Sequence, residues 1–436
     1  MIRLLAAAFV ALLAALPASA VEIKEITSPG GIRAWLVEEH SIPFTALEIR
    51  FRGGSSLDLP EKRGATLLMM ATLEEGAGDL DSQGFAEARE ALAAGFEFDA
   101  NDDSVSVSVR MLSENRDAAV ALLKTALTAP RFDQDAIDRV RAQVVSIIQS
   151  DEKDPNTIAW REFDQQAFGA HPYASSRNGT LQSVAALTRD DLIAAKANVM
   201  ARDRLYVSAV GDITEAALGA LLDDLLGDLP ETGAPLPPKA EFGLTGGVTV
   251  IDFASPQSVV AFGHEGIERH DPDFFAAYVL NQVIGGHGFG ARLMEEVREK
   301  RGLTYGISTD LVPMDLGWTW KGGFASANEK VSEAIGVVRD EWARIAAEGV
   351  SDEELEAAKT YLTGAYPLRF DGNGRIAGIL VGMQMDDLPT TYLRDRNSYI
   401  EAVTSDDIKR VARRLMKPDA LRFVVVGQPA GLEPSN

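Results

Sequence analysis

Cysteine is absent from the 436 residues. Disulfides, thiolate-ligated zinc, thiol nucleophiles and lipidation at cysteine are excluded with it. A complete lack also suits an oxidising compartment, where stray thiols are a hazard. Basic residues are scarce: 42 Lys and Arg face 65 Asp and Glu, for a formal charge of −23. Such a surface repels phosphates, no local basic patch relieves it, and no nucleic-acid partner is expected. After the first twenty residues no apolar run is long enough to cross a bilayer, so no membrane insertion is expected. Neither a Gly-x-Ser-x-Gly elbow, a phosphate loop nor an EF-hand occurs. What is present is ordinary for a globular protein. Apolar residues make up 46% and charged residues 25%, which rules out wholesale disorder and collagen-like structure.

The N-terminus reads MIRLLAAAFVALLAALPASA. Arg3 gives a short positive start, Leu4 to Leu16 form an apolar stretch too short to span a membrane, and Ala18-Ser19-Ala20 fits the small-x-small cleavage rule. Residues 1–20 are therefore expected to be a secretory signal peptide cut after Ala20, and the mature protein is expected in the periplasm. Removing Arg3 with the leader takes the charge from −23 to −24. The mature length suits two domains of about 200 residues.

The chain repeats itself. Thr188-Arg189-Asp190-Asp191-Leu192 matches Thr404-Ser405-Asp406-Asp407-Ile408, 216 positions on. Each stretch begins a helix that ends near a methionine, Met200 or Met416. Each then passes through Asp203 or Asp419 into an apolar strand that stops at Gly211 or Gly427. Fainter matches pair Phe132–Ile137 with Val350–Leu355, and the strand after Pro43 with the one after Pro256. The unit is too long for a solenoid repeat of about 20–50 residues and reads as a duplicated domain. Between the copies, Pro230, Pro235, Pro237 and Pro238 stiffen the chain and cannot donate to a sheet. The expected division is domains at 21–228 and 248–436 with a linker at 229–247. Ala46–Phe51 and Ser104–Met111 alternate as half-buried strands. A helix capped by Ser113 carries Val120, Leu123 and Leu127; another, started by Asp133, carries Ile137, Val140, Val144 and Ile147. Strands and helices that come in blocks predict an α+β fold, antiparallel sheets with helices mainly on one face.

Five histidines are candidates for chemistry: His40, His171, His264, His270 and His287. Glu39-His40 lacks a partner ligand at position 36, which is Leu. His264 and His270 are six apart and cannot share one helix face as a metal pair at i, i+4 does. These histidines are expected in loops or on the surface. The strongest site-like feature is the run Gly285-Gly286-His287-Gly288-Phe289-Gly290, whose backbone can approach a ligand closely. After it come Arg298, near the end of a helix that Gly302 can cap, and Tyr305, expected on the next strand.

The segment RLMEEVREKRGLTYGIS after this glycine loop resembles the C-terminal half of the pitrilysin/insulinase family, which includes mitochondrial processing peptidase and many two-subunit bacterial peptidases. GGSSLDLPEKRGAT resembles the family's entry to its zinc helix, and FGAHPYASSRNGTLQSVAALTRDDLIA a later segment of the same half. The resemblance covers nearly the whole mature chain and implies two homologous α+β domains forming half of a clamshell chamber. Catalytic members carry His-x-x-Glu-His on a helix, two zinc ligands and a water-activating glutamate, with a distal glutamate as third ligand. Here those five positions are Leu67, Leu68, Met69, Met70 and Ala71, and the distal position falls at or beside Ile147. None carries an N, O or thiolate donor for zinc. No metal or other cofactor is therefore expected in this chain, and the lost pocket is expected to be apolar core. The resemblance implies that Arg298 and Tyr305 bind the substrate carbonyl and its oxyanion, and that Gly285, Gly286, Gly288 and Gly290 handle substrate. The chain thus reads as the non-catalytic subunit of a periplasmic heterodimeric zinc metalloendopeptidase. Its partner would be a zinc-bearing homologous subunit and its ligands unfolded peptides. The alternative is a homodimeric peptide-binding or structural scaffold without a role in proteolysis.

Overall fold

In the computed structural model, the described residues are 22–286 and 290–435. The expected signal peptide, its cut after Ala20, and His287, Gly288 and Phe289 of the glycine run lie outside them.

The first half is built on strands β1 (Lys24–Thr27), β2 (Arg33–Glu38), β3 (Phe44–Arg52), β4 (Gly95–Ala100), β5 (Ser104–Leu112) and β6 (Leu205–Gly211). They lie in the order β1-β2-β6-β3-β5-β4, antiparallel except for the β2–β6 pair. The second half has β7 (Gly247–Asp252), β8 (Gln257–Glu265), β9 (Ile307–Pro313), β10 (Trp318–Ala327) and β11 (Arg422–Gly427), in the order β9-β10-β8-β11-β7, with β7–β11 parallel. Without β1, the two sheets have the same topology. The register repeats too: Leu47 sits between Ala209 and Val109, and Val260 between Val425 and Phe324. Two homologous α+β domains follow, as the sequence repeat predicts.

The repeated Thr-x-x-Asp motif is a helix start. Thr188 and Thr404 each form a capping box with Asp191 and Asp407, exchanging hydrogen bonds between side chain and backbone at the N-termini of two helices, Arg189–Val199 and Ser405–Leu415. These bonds, with Arg410 beside it, hold the Asp407 carboxyl down at about 2. The Ser113 hydroxyl does not cap the helix Arg116–Thr128; it is turned onto Asp212 instead.

Most helices cover one face of their own sheet. On the first sheet, Leu47, Ile49, Phe51, Val107 and Val109 meet Leu68, Leu123, Ile137 and Leu222 in one core. The opposite faces are covered by an exchange. Helix α1 (Pro155–Phe168) belongs to the first half in sequence but packs on the second sheet, where Ala159, Phe163, Ala167 and Phe168 meet Ala261, Val424 and Val426. Helix α2 (Asn373–Met385) returns the favour: Ala377, Leu380 and Met383 cover Trp35, Val37, Ala46 and Val210 of the first sheet. Hydrogen bonds pin both, Gln384 Nε2 to the Val207 carbonyl at 2.8 Å and Gln166 Nε2 to Thr249 Oγ1 at 3.0 Å. Between Leu226 and Gly247 no helix or strand forms. That segment follows α1, with Gly243 N–H on the Ala167 carbonyl at 2.8 Å.

Candidate functional site

The positions matched to the zinc motif lie on helix α3 (Ala65–Thr72). Its N-terminus is held from a distance by Asp58, whose carboxylate accepts from Gly64 N–H and Thr66 N–H, both at 3.0 Å, and from Thr66 Oγ1 at 2.6 Å. Leu68, Met69 and Met70 are sealed in the core, whereas Leu67 and Ala71 are only half-buried against it. Ile147 departs from expectation. On helix α4 (Gln134–Asp151) it is 49% exposed, and Ile148 completes the buried stripe of Ile137, Val140 and Val144. The helical period explains this: position 148 lies eleven residues from Ile137, three full turns on, while 147 falls off that face. Burial in the core is therefore complete at Met70, partial at Leu67 and Ala71, and absent at Ile147. Among the described residues no group of three or more His, Cys, Asp or Glu is placed to hold a metal ion.

His264 also departs from expectation. It is buried on β8, where its Nε2 accepts from Trp342 Nε1–H at 3.0 Å and its Nδ1 faces the Glu265 carbonyl at 2.6 Å. Burial pushes it down to about 4, so it is a neutral core imidazole. His40 and His270 are exposed. His40 Nδ1 lies 2.7 Å from Asp212, the main cause of its raised pKa.

The glycine run starts inside helix α5 (Phe274–Gly285). Gly285 is buried, and a Cβ there would stand 2.2 Å from Thr309 Oγ1. Its smallness thus serves the close packing of α5 on β9, which Asn281 and Thr309 reinforce with bonds of 3.0 and 2.8 Å. A Cβ on Gly286 would meet Gln282, whereas Gly290 is exposed and has open space around it. Beyond it, Met294–Glu299 is a π-helix, with Lys300 N–H bonded to the Glu295 carbonyl at 2.9 Å. Such wide turns are rare and recur at functional sites. Gly302, at φ +60°, ends it, giving its N–H to the Arg298 carbonyl at 2.8 Å. Arg298 is on the last turn, as expected, 34% exposed with its Nε 3.4 Å from Glu299. Tyr305 is not on the strand; it precedes β9 by two residues and is 86% exposed.

Sequence reading missed a groove between the halves. Two adjoining cavities, about 370 and 600 Å³, share Asn156 and Trp160 of α1. Asp164 of α1 lines one and Lys321 of β10 the other. Lys321 Nζ stands 3.9 Å from Asp164 Oδ1, which has no hydrogen-bond partner, and 5.1 Å from the Trp160 ring centre. Burial pushes Asp164 up to about 6 despite the lysine. No local motif could reveal this, because the two charges come from different halves. The folded protein binds this proton more tightly than the unfolded chain does. The stabilising contribution is therefore full below pH 3.8 and lost as the pH rises to about 6. Asp164→Asn should accordingly be more stable than the parent at pH 7, by about 1–3 kcal/mol, the gap closing below pH 4 in urea unfolding.

Comparison with known proteins agrees with this architecture. Residues 33–181 match the family described as insulinase (peptidase family M16), and residues 186–362 the peptidase M16 inactive domain. A Helicobacter pylori protein named non-peptidase homolog YmxG is 28% identical over 333 residues, covering 76% of this chain and 77% of that one. An uncharacterized zinc protease of Streptomyces coelicolor is 25% identical, covering 90% and 87%. The crystal structure of a peptidase M16 inactive domain from Pseudomonas fluorescens superimposes with a TM-score of 0.88 at 29% identity, over 95% of this chain and all of that one. Two equivalent sheets, capping boxes at matched positions and these likenesses converge: the chain is an inactive-type homologue belonging to the insulinase peptidase family, M16.

Proposed function

We propose that this chain is the non-catalytic subunit of a heterodimeric zinc metalloendopeptidase of the periplasm. A homologous zinc-bearing partner supplies the water-activating site. This chain completes the chamber around an unfolded peptide and lends Arg298 and Tyr305 to the substrate carbonyl and its developing oxyanion. The observation that carries the reading is Tyr305: a large aromatic left 86% exposed beyond a π-turn contributes little to its own fold and has its phenol free to meet a ligand. The apolar residues at 67, 70, 71 and 147 support it, since they leave this chain no donor set for its own zinc.

The mature protein alone should bind no stoichiometric zinc and cleave no peptide, and adding the partner should give proteolysis. In that complex Tyr305→Phe should lower kcat about 100-fold with little change in KM, the mark of a donor used in the transition state. One tightly held zinc per chain, or chelator-sensitive cleavage by this chain alone, would overturn the reading. The likeness to a protein named a non-peptidase homolog favours a second one, a homodimeric peptide-binding scaffold. For that, changes at Arg298 and Tyr305 would be silent in every proteolysis assay.

A further inference from the structure

The tips of the two edge hairpins meet. The β4–β5 turn carries Asp103 and the topologically equivalent β9–β10 turn carries Asp315 and Leu316. Asp103 Oδ2 accepts the Asp315 N–H at 3.3 Å, and Asp103 Oδ1 accepts from the Tyr173 hydroxyl, which itself accepts the Leu316 N–H at 3.0 Å. A single carboxyl thus ties the first half to the second, once directly and once through a phenol. Its surroundings are crowded with acid. Asp102 stands beside it, bonded to Arg63 Nη2 at 2.8 Å. The Asp315 carboxylate faces Arg52 Nε at 3.1 Å, in an angle that is not a hydrogen bond, and feels Asp386 and Asp387 behind it. Asp386 in turn faces Arg269 at 3.7 Å and lies near His270.

We propose that this junction is a proton-operated latch between the two halves, closed while Asp103 is protonated and loosened when it ionises beside Asp102 and Asp315. With a proton on Oδ1, Asp103 donates to the Tyr173 oxygen and still accepts the Asp315 N–H, so both ties survive with no charge. Without it, a carboxylate is confined among two others. Burial above all, and then the neighbouring acids, push Asp103 up to about 6 against the Tyr173 hydroxyl and the Asp315 N–H, which favour the carboxylate, whereas a solvated aspartate titrates near 3.8. Opening the junction is therefore linked to proton release, and it becomes easier as the pH rises from about 4 to 7.

The test is hydrogen exchange of the 313–318 segment in the full mature protein between pH 4.5 and 7.5, corrected for the intrinsic pH dependence of exchange. Protection should fall about 25-fold across that range, the part of the Asp103 displacement that lies within it. Asp103→Asn, whose amide donates to Tyr173 as the protonated acid does, should hold protection constant. Asp315→Asn should leave the transition in place but move its midpoint to lower pH. Wild-type protection that does not change with pH, or an unchanged transition in Asp103→Asn, overturns the latch. Should Asp103→Asn fail to fold, a midpoint unmoved by Asp315→Asn does so instead.

Discussion

Severing the chain between Pro235 and Pro238 should leave neither half able to fold alone, while the two co-expressed should associate into one particle. The exchange of α1 and α2 sets this expectation. A second half made by itself would expose Ala261, Val424 and Val426, the face that Phe163 and Phe168 cover. A first half would expose Trp35, Val37 and Val210 and carry a loose α1. Truncating one buried phenylalanine costs about 3–5 kcal/mol, and losing a whole helix face removes several such side chains at once. That is comparable to the entire stability of a domain, about 5–15 kcal/mol. In the intact chain, Phe163→Ala should lower the unfolding free energy by about 3–5 kcal/mol. It should do so in a single transition, because the residue belongs to one half and stabilises the other. Circular dichroism of the separated halves decides the matter: a native-like, cooperatively melting half would show that the exchange is dispensable.

Returning the family's ligands should restore a metal site. Leu67→His and Ala71→His, combined with Ile147→Glu, place two imidazoles at i, i+4 and a carboxylate on the neighbouring helix. Leu67 and Ala71 are half-buried and Ile147 is exposed, so none of the three changes forces a polar group into the sealed core. Metal analysis of the folded triple variant should find one zinc per chain, against none in the parent. Met70 is different: it is sealed, and Met70→Glu would bury a carboxylate at a cost of several kcal/mol. The metal and the base are therefore not equally recoverable. A folded triple variant without zinc would overturn the assignment of the distal ligand to position 147, since Val144 and Ile148, not Ile147, share the core against which Leu67 and Ala71 pack.

The duplicated fold was readable because its signals are local. A capping box needs four consecutive residues and a strand end needs one glycine, so Thr188 and Thr404, or Gly211 and Gly427, declare themselves without any knowledge of the partner element. Arg298 on the last turn before Gly302 was legible for the same reason. Ile147 was misread because four apolar residues at helical spacing define a stripe only to within one position; a neighbouring isoleucine, Ile148, was there to take the place. His264 was misread because the residues that follow it, Glu265, Glu268, Arg269 and His270, are polar, while its partners Trp320 and Trp342 come from distant elements.

Amino-acid order was enough for the two-copy α+β plan, a matter of residue type at a fixed spacing, and, through the family resemblance, for the absence of zinc donors at the positions matched to the motif. Tertiary structure alone decided which sheet each amphipathic helix covers, how Asp164 comes to face Lys321, and why Asp103 holds two hairpin tips together. Periodicity states that a helix has a buried face but is silent on what buries it. The energy of an ionised side chain likewise depends on the charges and solvent that folding brings near, not on its neighbours in the chain.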